Sequence, residues 1–282
     1  MAGMKPKAPG AGVKKGIFFA LSALLLASVL IALASGIADV TSRARRTATS
    51  IMDIDFASRA HADAQSQAIK IMSSWSNVTC QNSTISISES LPIGSTFASD
   101  LANMAEFESG HLNANVSANF TGLANGSYMI APQGMEVSHT GTTVLFQNNA
   151  SAQGDQVVSY NITLMFPAGM ADAADWVALS NASGNATGIN VTVKVMDASY
   201  TVYKTMTGYV ERGAESRINI TQGGETVGYV RFFSPSSCEI YHSNAVNLKA
   251  MIEMASPVYA QAHDNITASA GRATKSAPAR IC

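Results

Sequence analysis

An uncharged run of 22 residues, Ile17–Ala38, constrains this chain more than any other feature of its sequence. As an α-helix rising about 1.5 Å per residue, the run is about 33 Å long, which is enough to cross the hydrocarbon core of a bilayer. The leader before it, residues 1–16, contains four lysines and no acid, and the positive-inside rule therefore favours a cytoplasmic N-terminus. We expect a single-pass cell-membrane protein with an extracellular C-terminal region.

Sequence compatible with a helix continues well beyond this span. Residues 41–75 contain neither Pro nor Gly, and a stripe with three- or four-residue spacing, apolar mainly at its ends, runs along them. Its members are Ile51, Ile54, Ser58, His61, Gln65, Ala68, Met72 and Trp75. We predict one helix from about Val13 to Trp75, in which residues 39–76 form an amphipathic extension. Gly36 offers the alternative of two helices joined by a kink.

The N-terminal helix, which begins Lys14-Lys15-Gly16-Ile17 and leads into a β-rich region, resembles that of archaeal type IV pilin-like proteins. In that family a membrane peptidase cleaves after the Gly that ends a short basic leader. The resemblance covers about the first 75 residues, and it implies cleavage between Gly16 and Ile17 and packing of the helix in a filament core. One departure is that many pilins have Glu at the fifth mature position, where this chain has Leu21.

A second cleavage site competes with this interpretation. The tripeptide Ala32-Leu33-Ala34 follows an apolar stretch and fits an ordinary signal-peptidase site. Cleavage there would release a soluble protein that begins at Ser35. The apolar run is long for a signal peptide, and the helical pattern continues through it, so we favour an anchored chain.

Asparagine is absent from residues 1–76 and then occurs 17 times. Twelve of these residues begin an Asn-x-Ser/Thr sequon, whereas chance pairing at this composition gives roughly three. Because sequons are meaningful in an exported chain, they agree with the topology predicted from the N-terminus. The candidate glycosylation sites are Asn77, Asn82, Asn115, Asn119, Asn125, Asn149, Asn161, Asn181, Asn185, Asn190, Asn219 and Asn265.

Short stretches of alternating polar and apolar residues predict strands in the downstream region. They are Ser83–Ser88, Met135–Gln147, Gln156–Phe166, Ile189–Met196, Tyr200–Val210, Arg217–Thr221 and Thr226–Phe233. The pair Gly223-Gly224 predicts a tight hairpin turn between the last two. Ser99–Ser109 and Ala168–Ser180 each fit a short helix, and Asn247–Met254 fits a helix or a strand.

The predicted fold class is therefore α+β, with a long N-terminal transmembrane helix followed by a mainly antiparallel β-sandwich ectodomain. We place the β-rich, glycosylated ectodomain at residues 77–266. Residues 267–282 are rich in Ala, Ser, Gly and basic side chains with little to bury, and we expect a flexible tail.

Three cysteines occur in the chain, at Cys80, Cys238 and Cys282. In an oxidising extracellular setting, Cys80 and Cys238 are the candidate disulfide pair, because such a bridge would tie the start of the domain to a late strand. Cys282 would then be left as a free thiol or an intermolecular partner.

No catalytic or metal-binding constellation is apparent, and we predict no enzyme, no cofactor and no metal. The histidines are scattered, at His61, His111, His139, His242 and His263. Only 13% of residues are charged and the net charge is −1, which argues against a nucleic-acid partner. We predict a structural or adhesive surface protein, pilin-like, whose partners are the membrane, other copies of itself and a surface or glycan ligand. The alternative is a single-pass or secreted binding module for carbohydrate or an envelope protein, with no filament role.

Overall fold

The computed structural model describes residues 11–92, 96–111, 115–118, 121–148, 157–167, 173–178, 188–199, 202–211, 215–233 and 236–282. The chain divides into two compact units, Met1–Asp53 and Ile54–Cys282. The first unit contains helix only among its described residues, and the second contains the end of that helix together with the β-rich region. This arrangement confirms an α+β chain with a long apolar N-terminal helix and a mainly antiparallel β domain.

Helix α1, Ala11–Ser73, is continuous over 63 residues, as the sequence predicts. The alternative of two separate helices is wrong, because the helix continues through Gly36. A single glycine costs about 1 kcal/mol relative to Ala, and the helical turns on both sides outweigh that cost. Hydroxyl groups in the apolar part bond to carbonyls of the preceding turn, for example Ser22 to Phe18 and Ser35 to Ile31. These hydroxyls therefore need no water.

The second unit adds sixteen strands and two short helices within the described residues. In chain order they are β1 Ser76–Gln81, β2 Thr84–Leu91, α2 Phe97–His111, β3 Asn115–Ala118, α3 Thr121–Ala124, β4 Tyr128–Ala131, β5 Met135–Thr140, β6 Thr143–Asn148, β7 Val157–Phe166, β8 Ala173–Ala178, β9 Ile189–Asp197, β10 Val202–Val210, β11 Ser216–Gln222, β12 Glu225–Phe233, β13 Ser237–His242, β14 Val246–Met254, β15 Tyr259–Ala270 and β16 Ala273–Arg280.

The strands form two sheets. The six-stranded sheet has the order β1-β2-β14-β7-β9-β10, in which β7 and β9 are parallel and the other neighbours are antiparallel. The ten-stranded sheet has the order β16-β15-β4-β5-β6-β13-β12-β11-β8, and β3 also pairs with β15. All the neighbouring pairs of the ten-stranded sheet that the structure describes are antiparallel.

The two sheets share one hydrophobic core. Tyr160 of the six-stranded sheet packs on Phe232 of the ten-stranded sheet, with ring centroids 5.6 Å apart, and its hydroxyl donates to the Ser236 carbonyl at 2.6 Å. A side chain at Gly228 of β12 would clash with its neighbours. A Cβ there would lie 2.9 Å from the Tyr241 carbonyl oxygen and 3.1 Å from a ring carbon of Phe166.

Most predicted strands are present, and the Gly223-Gly224 hairpin joins β11 to β12 with both glycines at positive φ. The helix predicted at Ser99–Ser109 is α2. Met135–Gln147 is two strands, β5 and β6, because Gly141 reverses the chain at a φ of 59°. Asn247–Met254 is a strand within β14. The helix predicted at Ala168–Ser180 is wrong where the structure describes it, since Ala173–Ala178 pairs with β11 as strand β8.

The flexible tail predicted for residues 267–282 is also wrong. The end of β15 and all of β16 form an antiparallel hairpin around Gly271, which has a φ of 55°. The tail has few large apolar side chains, but Ala279 and Ile281 are buried and the strand pairing satisfies its backbone. Strand pairing and a few buried side chains are therefore enough to keep β16 at the edge of the ten-stranded sheet.

Candidate functional site

The apolar part of α1 is exposed along its length. Phe18 is 77% exposed and Leu24 is 73% exposed, and the most apolar stretch has a mean hydropathy of 2.4 with none of it buried. This helix is long and apolar enough to cross a membrane, and it is the one such helix among the described residues. The predicted processing residues Gly16 and Ile17 lie within α1, and their side chains are outside the described part of the chain.

Exposed apolar side chains continue on α1 beyond the uncharged run. Val40 is 66% exposed, Ile51 61%, Met52 58% and Ile54 58%. Two ion pairs between residues four apart flank this stretch. They are Asp39–Arg43 at 2.9 Å and Asp55–Arg59 at 2.8 Å. We call Ile51, Met52, Ile54 and Phe56 the distal apolar residues of α1.

The last turns of α1 pack into the β domain through small side chains. Ala57, Ala60, Ala64, Ala68 and Met72 are buried, at spacings of three and four residues. Within the predicted stripe, Ile51 and Ile54 are exposed, whereas His61, Ala68, Met72 and Trp75 are buried. Alanine therefore supplies most of the buried face of these turns.

Strand β16 and its neighbours hold this part of α1 by polar contacts. The Gln65 side-chain amide donates to the Arg280 carbonyl at 3.3 Å, and the Lys275 ammonium donates to the Ser58 hydroxyl at 3.3 Å. Burial and the nearby charge of Lys275 lower the pKa of His61, against a backbone hydrogen bond to Ala277 that raises it. His61 is therefore held in its neutral form at this contact.

The cysteine prediction needs correction. The disulfide joins Cys80 of β1 to Cys282, with the Cα atoms 5.6 Å apart, and Cys238 is buried and free. The predicted pair Cys80–Cys238 is wrong because Cys238 points into the core from β13, where burial raises its pKa well above the ordinary value. The C-terminal segment is held on β15, where the Ile281 amide donates to the Ala260 carbonyl at 2.7 Å.

A buried polar cluster, which the sequence analysis missed, links the two sheets. Glu89 of β2 accepts hydrogen bonds from Ser76 at 2.8 Å and from His139 of β5 at 2.8 Å. The other ring nitrogen of His139 bonds to the Gly126 carbonyl. Burial lowers the pKa of His139, but the hydrogen bond and charge of Glu89 outweigh it and leave the pKa raised.

The cluster also shifts the pKa values of two neighbouring side chains, Tyr128 and His242. Burial and the Glu89 charge raise the pKa of Tyr128 well above its usual value, and burial together with His139 lowers the pKa of His242. Glu89 side-chain atoms are fully buried, so we assign the cluster a structural role. The signal in the sequence was a glutamate at an inward position of the alternating segment that forms β2.

A shallow cleft of about 280 Å³ lies near the end of α1. Its lining combines the rings of Trp75 and Phe97, whose centroids are 4.9 Å apart, with Pro92 and the hydroxyls of Ser74, Ser90 and Thr96. Trp75 also meets His139 edge-on at 5.4 Å. Both aromatic rings are more than nine-tenths buried, so the cleft presents little aromatic surface to a ligand.

Seven of the twelve sequon asparagines have described side chains. Six of them are exposed: Asn77, Asn82, Asn125, Asn161, Asn190 and Asn265. Asn219 is half-buried. The structure does not describe the side chain of Asn115 in β3 or the residues Asn119, Asn149, Asn181 and Asn185. Asn82 occupies the β1–β2 turn at a φ of 52°, a conformation that Asn tolerates better than most residues.

No group of three or more His, Cys, Asp or Glu side chains suited to a metal ion occurs in the described part of the chain. Comparisons of the whole chain with protein-family models, with curated proteins and with solved structures find no significant match.

Proposed function

We propose that this chain is a membrane-anchored extracellular structural protein, a pilin-like subunit of a surface filament, in which α1 provides both the anchor and the contact between subunits. In this proposal the leader, residues 1–16, is cytoplasmic and is removed between Gly16 and Ile17. The two sheets, which share one core, form a β-sandwich ectodomain on the outer surface. Adhesion to a surface or glycan would be a property of that ectodomain.

The observation that carries the proposal is the position of the distal apolar residues. A bilayer core needs about 20 apolar helical residues, and Ile17–Ala38 already provides them. Ile51 and Phe56 come 13 and 18 residues after Ala38, which places them about 20 and 27 Å further along a helix. Lipid tails do not extend that far, so another protein surface is needed to cover these side chains.

A second copy of α1 suits that requirement. Inside lipid, helix association depends on close packing more than on the hydrophobic effect, and small residues allow close approach. Ala20, Ala23, Ala27 and Ala34 lie roughly along one side of the helix. At 100° per residue, Met52 and Phe56 lie on that same side and would extend this contact beyond the membrane surface, while Ile51 and Ile54 would face further subunits.

The mature N-terminus provides the first test. We expect mass spectrometry of protein from native membranes to find a chain beginning at Ile17, and fibres on the cell surface. Gly16→Val should abolish both, while Gly12→Val, a control within the same leader, should leave both intact. A start at Ser35 would contradict anchoring and favour the secreted binding module. An intact leader would favour a plain single-pass protein.

The contact itself can be tested separately. We expect Ile51→Ser combined with Ile54→Ser to leave the chain in the membrane fraction but to eliminate fibres. The matched control is Val158→Ser with Met251→Ser, which removes two exposed apolar side chains of the β domain, 40% and 38% exposed. Fibres that survive the α1 changes and vanish with the control would contradict the role given to α1.

A further inference from the structure

The outer face of the six-stranded sheet carries a regular array of sequons. We define this face by the outward side chains of β1, β2, β14, β7, β9 and β10. Two sequons occupy the neighbouring parallel strands β7 and β9. The pairing of these strands places Asn161 beside Thr192 and Ser159 beside Asn190. Asn77 lies at the edge of the same face, paired with Ser88.

Strand geometry arranges each of these sequons for modification. Side chains two residues apart point to the same side of a strand. Asn77, Asn161 and Asn190 are exposed, and the residue after each is buried: Val78, Ile162 and Val191. The asparagine amide and the threonine hydroxyl of each sequon therefore face solvent together.

Strand propensity does not account for these asparagines. Asn is depleted in strands because its side chain competes for backbone hydrogen bonds, whereas Thr is favoured there. Asn161 and Asn190 nevertheless interrupt otherwise Val-, Ile- and Thr-rich strands. Their side chains make no hydrogen bond in the described part of the structure, so no local structural role explains them.

The outer face is also low in charge. Within the described strands its outward charged side chains are Lys194, Lys249 and Glu253. On the ten-stranded sheet, by contrast, Arg231 bonds to Glu215 at 2.7 Å and to Glu239 at 3.2 Å. A flat, weakly charged β surface is prone to association unless something covers it.

Three other sequons among the described residues, those of Asn125, Asn219 and Asn265, each have a polar group that is hydrogen-bonded or buried within the fold. The hydroxyl of Ser127, from the Asn125 sequon, donates to Glu136 at 3.1 Å. The hydroxyl of Thr267, from the Asn265 sequon, bonds to Ser276 at 2.9 Å. The Oδ1 atom of Asn219 is buried without a hydrogen-bond partner in the structure.

We propose that the outer face of the six-stranded sheet is the glycan-bearing face of this protein, with N-linked glycans at Asn77, Asn161 and Asn190. In the reaction the Asn amide nitrogen attacks the anomeric carbon of a lipid-diphosphate-linked oligosaccharide. An N–C bond forms, the bond from that carbon to the diphosphate oxygen breaks, and lipid diphosphate and a proton leave. The inference rests on the export assumed in the proposed function. Glycans on this face would leave the ten-stranded sheet, with the ion pairs of Arg231, free for contacts with partners.

Glycopeptide mass spectrometry of full-length protein from the native host tests the assignment. We expect most copies to carry glycan at Asn77, Asn161 and Asn190, and fewer copies at Asn125, Asn219 and Asn265. Asn161→Gln should lose one glycan mass, whereas Thr163→Ser, which keeps the sequon, should lose none. Higher occupancy at the second set than at the first, or no glycan at the first set, would overturn the proposal.

The same sample separates this inference from the proposed function. A mature start at Ile17 with the three sites bare would overturn the glycan-bearing face alone. A start at Ser35 with the three sites occupied would overturn the filament subunit alone. We also expect the full-length variant with all three asparagines changed to Gln to self-associate more in detergent than the wild-type chain, as measured by light scattering.

Discussion

The two parts of α1 lie in one uninterrupted helix but present opposite chemistry. From Phe18 to Phe56, its large apolar side chains are exposed. From Ala57 onward, the buried face consists mainly of alanine. The part richest in apolar area is thus the part that the β domain leaves uncovered. Apolar content alone does not identify the face that packs inside a chain.

This difference separates two ways of using a helix. Large side chains suit lipid tails and other helices, where apolar area and shape decide the contact. Burying an alanine contributes only about 0.8 kcal/mol, so the later part of α1 gains little from area. Its attachment also includes polar contacts with β16, from Gln65 to the Arg280 carbonyl and from Lys275 to Ser58. Changes at equivalent residues in the two parts should therefore have different effects.

The largest effect is expected for a charge on the buried alanine face. Ala64→Asp should lower the free energy of unfolding of the β domain by about 3 to 5 kcal/mol, because the carboxylate would be buried without a partner. Ala62→Asp, on the exposed side of the same turn, should change it by less than about 0.5 kcal/mol. Denaturant unfolding of the full chain in detergent measures both, and equal effects would contradict the assigned buried face.

The same substitution in the apolar part should act on a different property. Ala27→Asp lies near the middle of the uncharged run, and it should weaken membrane insertion by roughly 2.5 to 3.5 kcal/mol. The unfolding of the β domain should stay unchanged. Carbonate extraction of membranes, with Ala62→Asp as the control, measures the insertion. Loss of β-domain stability in Ala27→Asp would contradict the separation of the two parts.

The disulfide next to the alanine face is expected to have the next largest effect. Cys282→Ser removes the bridge that closes a loop of 202 residues, and it should cost about 2 to 4 kcal/mol of unfolding free energy. Reductant should destabilise the wild-type chain but not the variant. Non-reducing peptide mapping should recover Cys80 linked to Cys282, and a link to Cys238 would contradict the structure.

The sequence predicts local features of this molecule well. The continuity of α1 follows from the absence of Pro and Gly after Gly36, and the β11–β12 turn follows from Gly223-Gly224. Each depends on neighbouring residues whose preferences agree. The exposure of the sequons in β1, β7 and β9 agrees with the alternation within those strands, since Asn and Thr two residues apart share a face.

Long-range features could not be predicted in the same way. The partner of Cys80 depends on where β16 ends, and the small residues of Thr267–Cys282 gave no sign that this segment forms a strand. The Glu89–His139 pair joins residues from different sheets, and no local pattern links them. The alanine face of α1 could not be recognised because Ala is a strong helix former that also occurs on exposed helix faces.

A pH dependence should distinguish the alanine face from the rest of the domain. Because the pKa of His61 is lowered in the folded chain, its contribution to stability is complete above the unfolded value of about 6.5. That contribution is lost as the pH falls from there towards the folded pKa. His61→Gln should therefore lose less stability between pH 7.5 and 5 than the wild type.

Other histidines set the background for this measurement. His242 also has a lowered pKa and should act in the same direction. His139 has a raised pKa, so its contribution is complete below about 6.5 and declines as the pH rises through the folded value. Denaturant unfolding at several pH values measures the sum. Parallel profiles for wild type and His61→Gln would contradict the buried, neutral state of His61.

The smallest effect is expected at the rim of the alanine face. Lys275→Met removes one exposed hydrogen bond, to Ser58, and should change the free energy of unfolding by less than about 0.5 kcal/mol. It should nevertheless raise the pKa of His61, because the charge of Lys275 lowers it. An NMR titration of His61 detects that rise, with Lys249→Met on the six-stranded sheet as the control. An unchanged His61 pKa would show that β16 does not lie beside α1 as the structure places it.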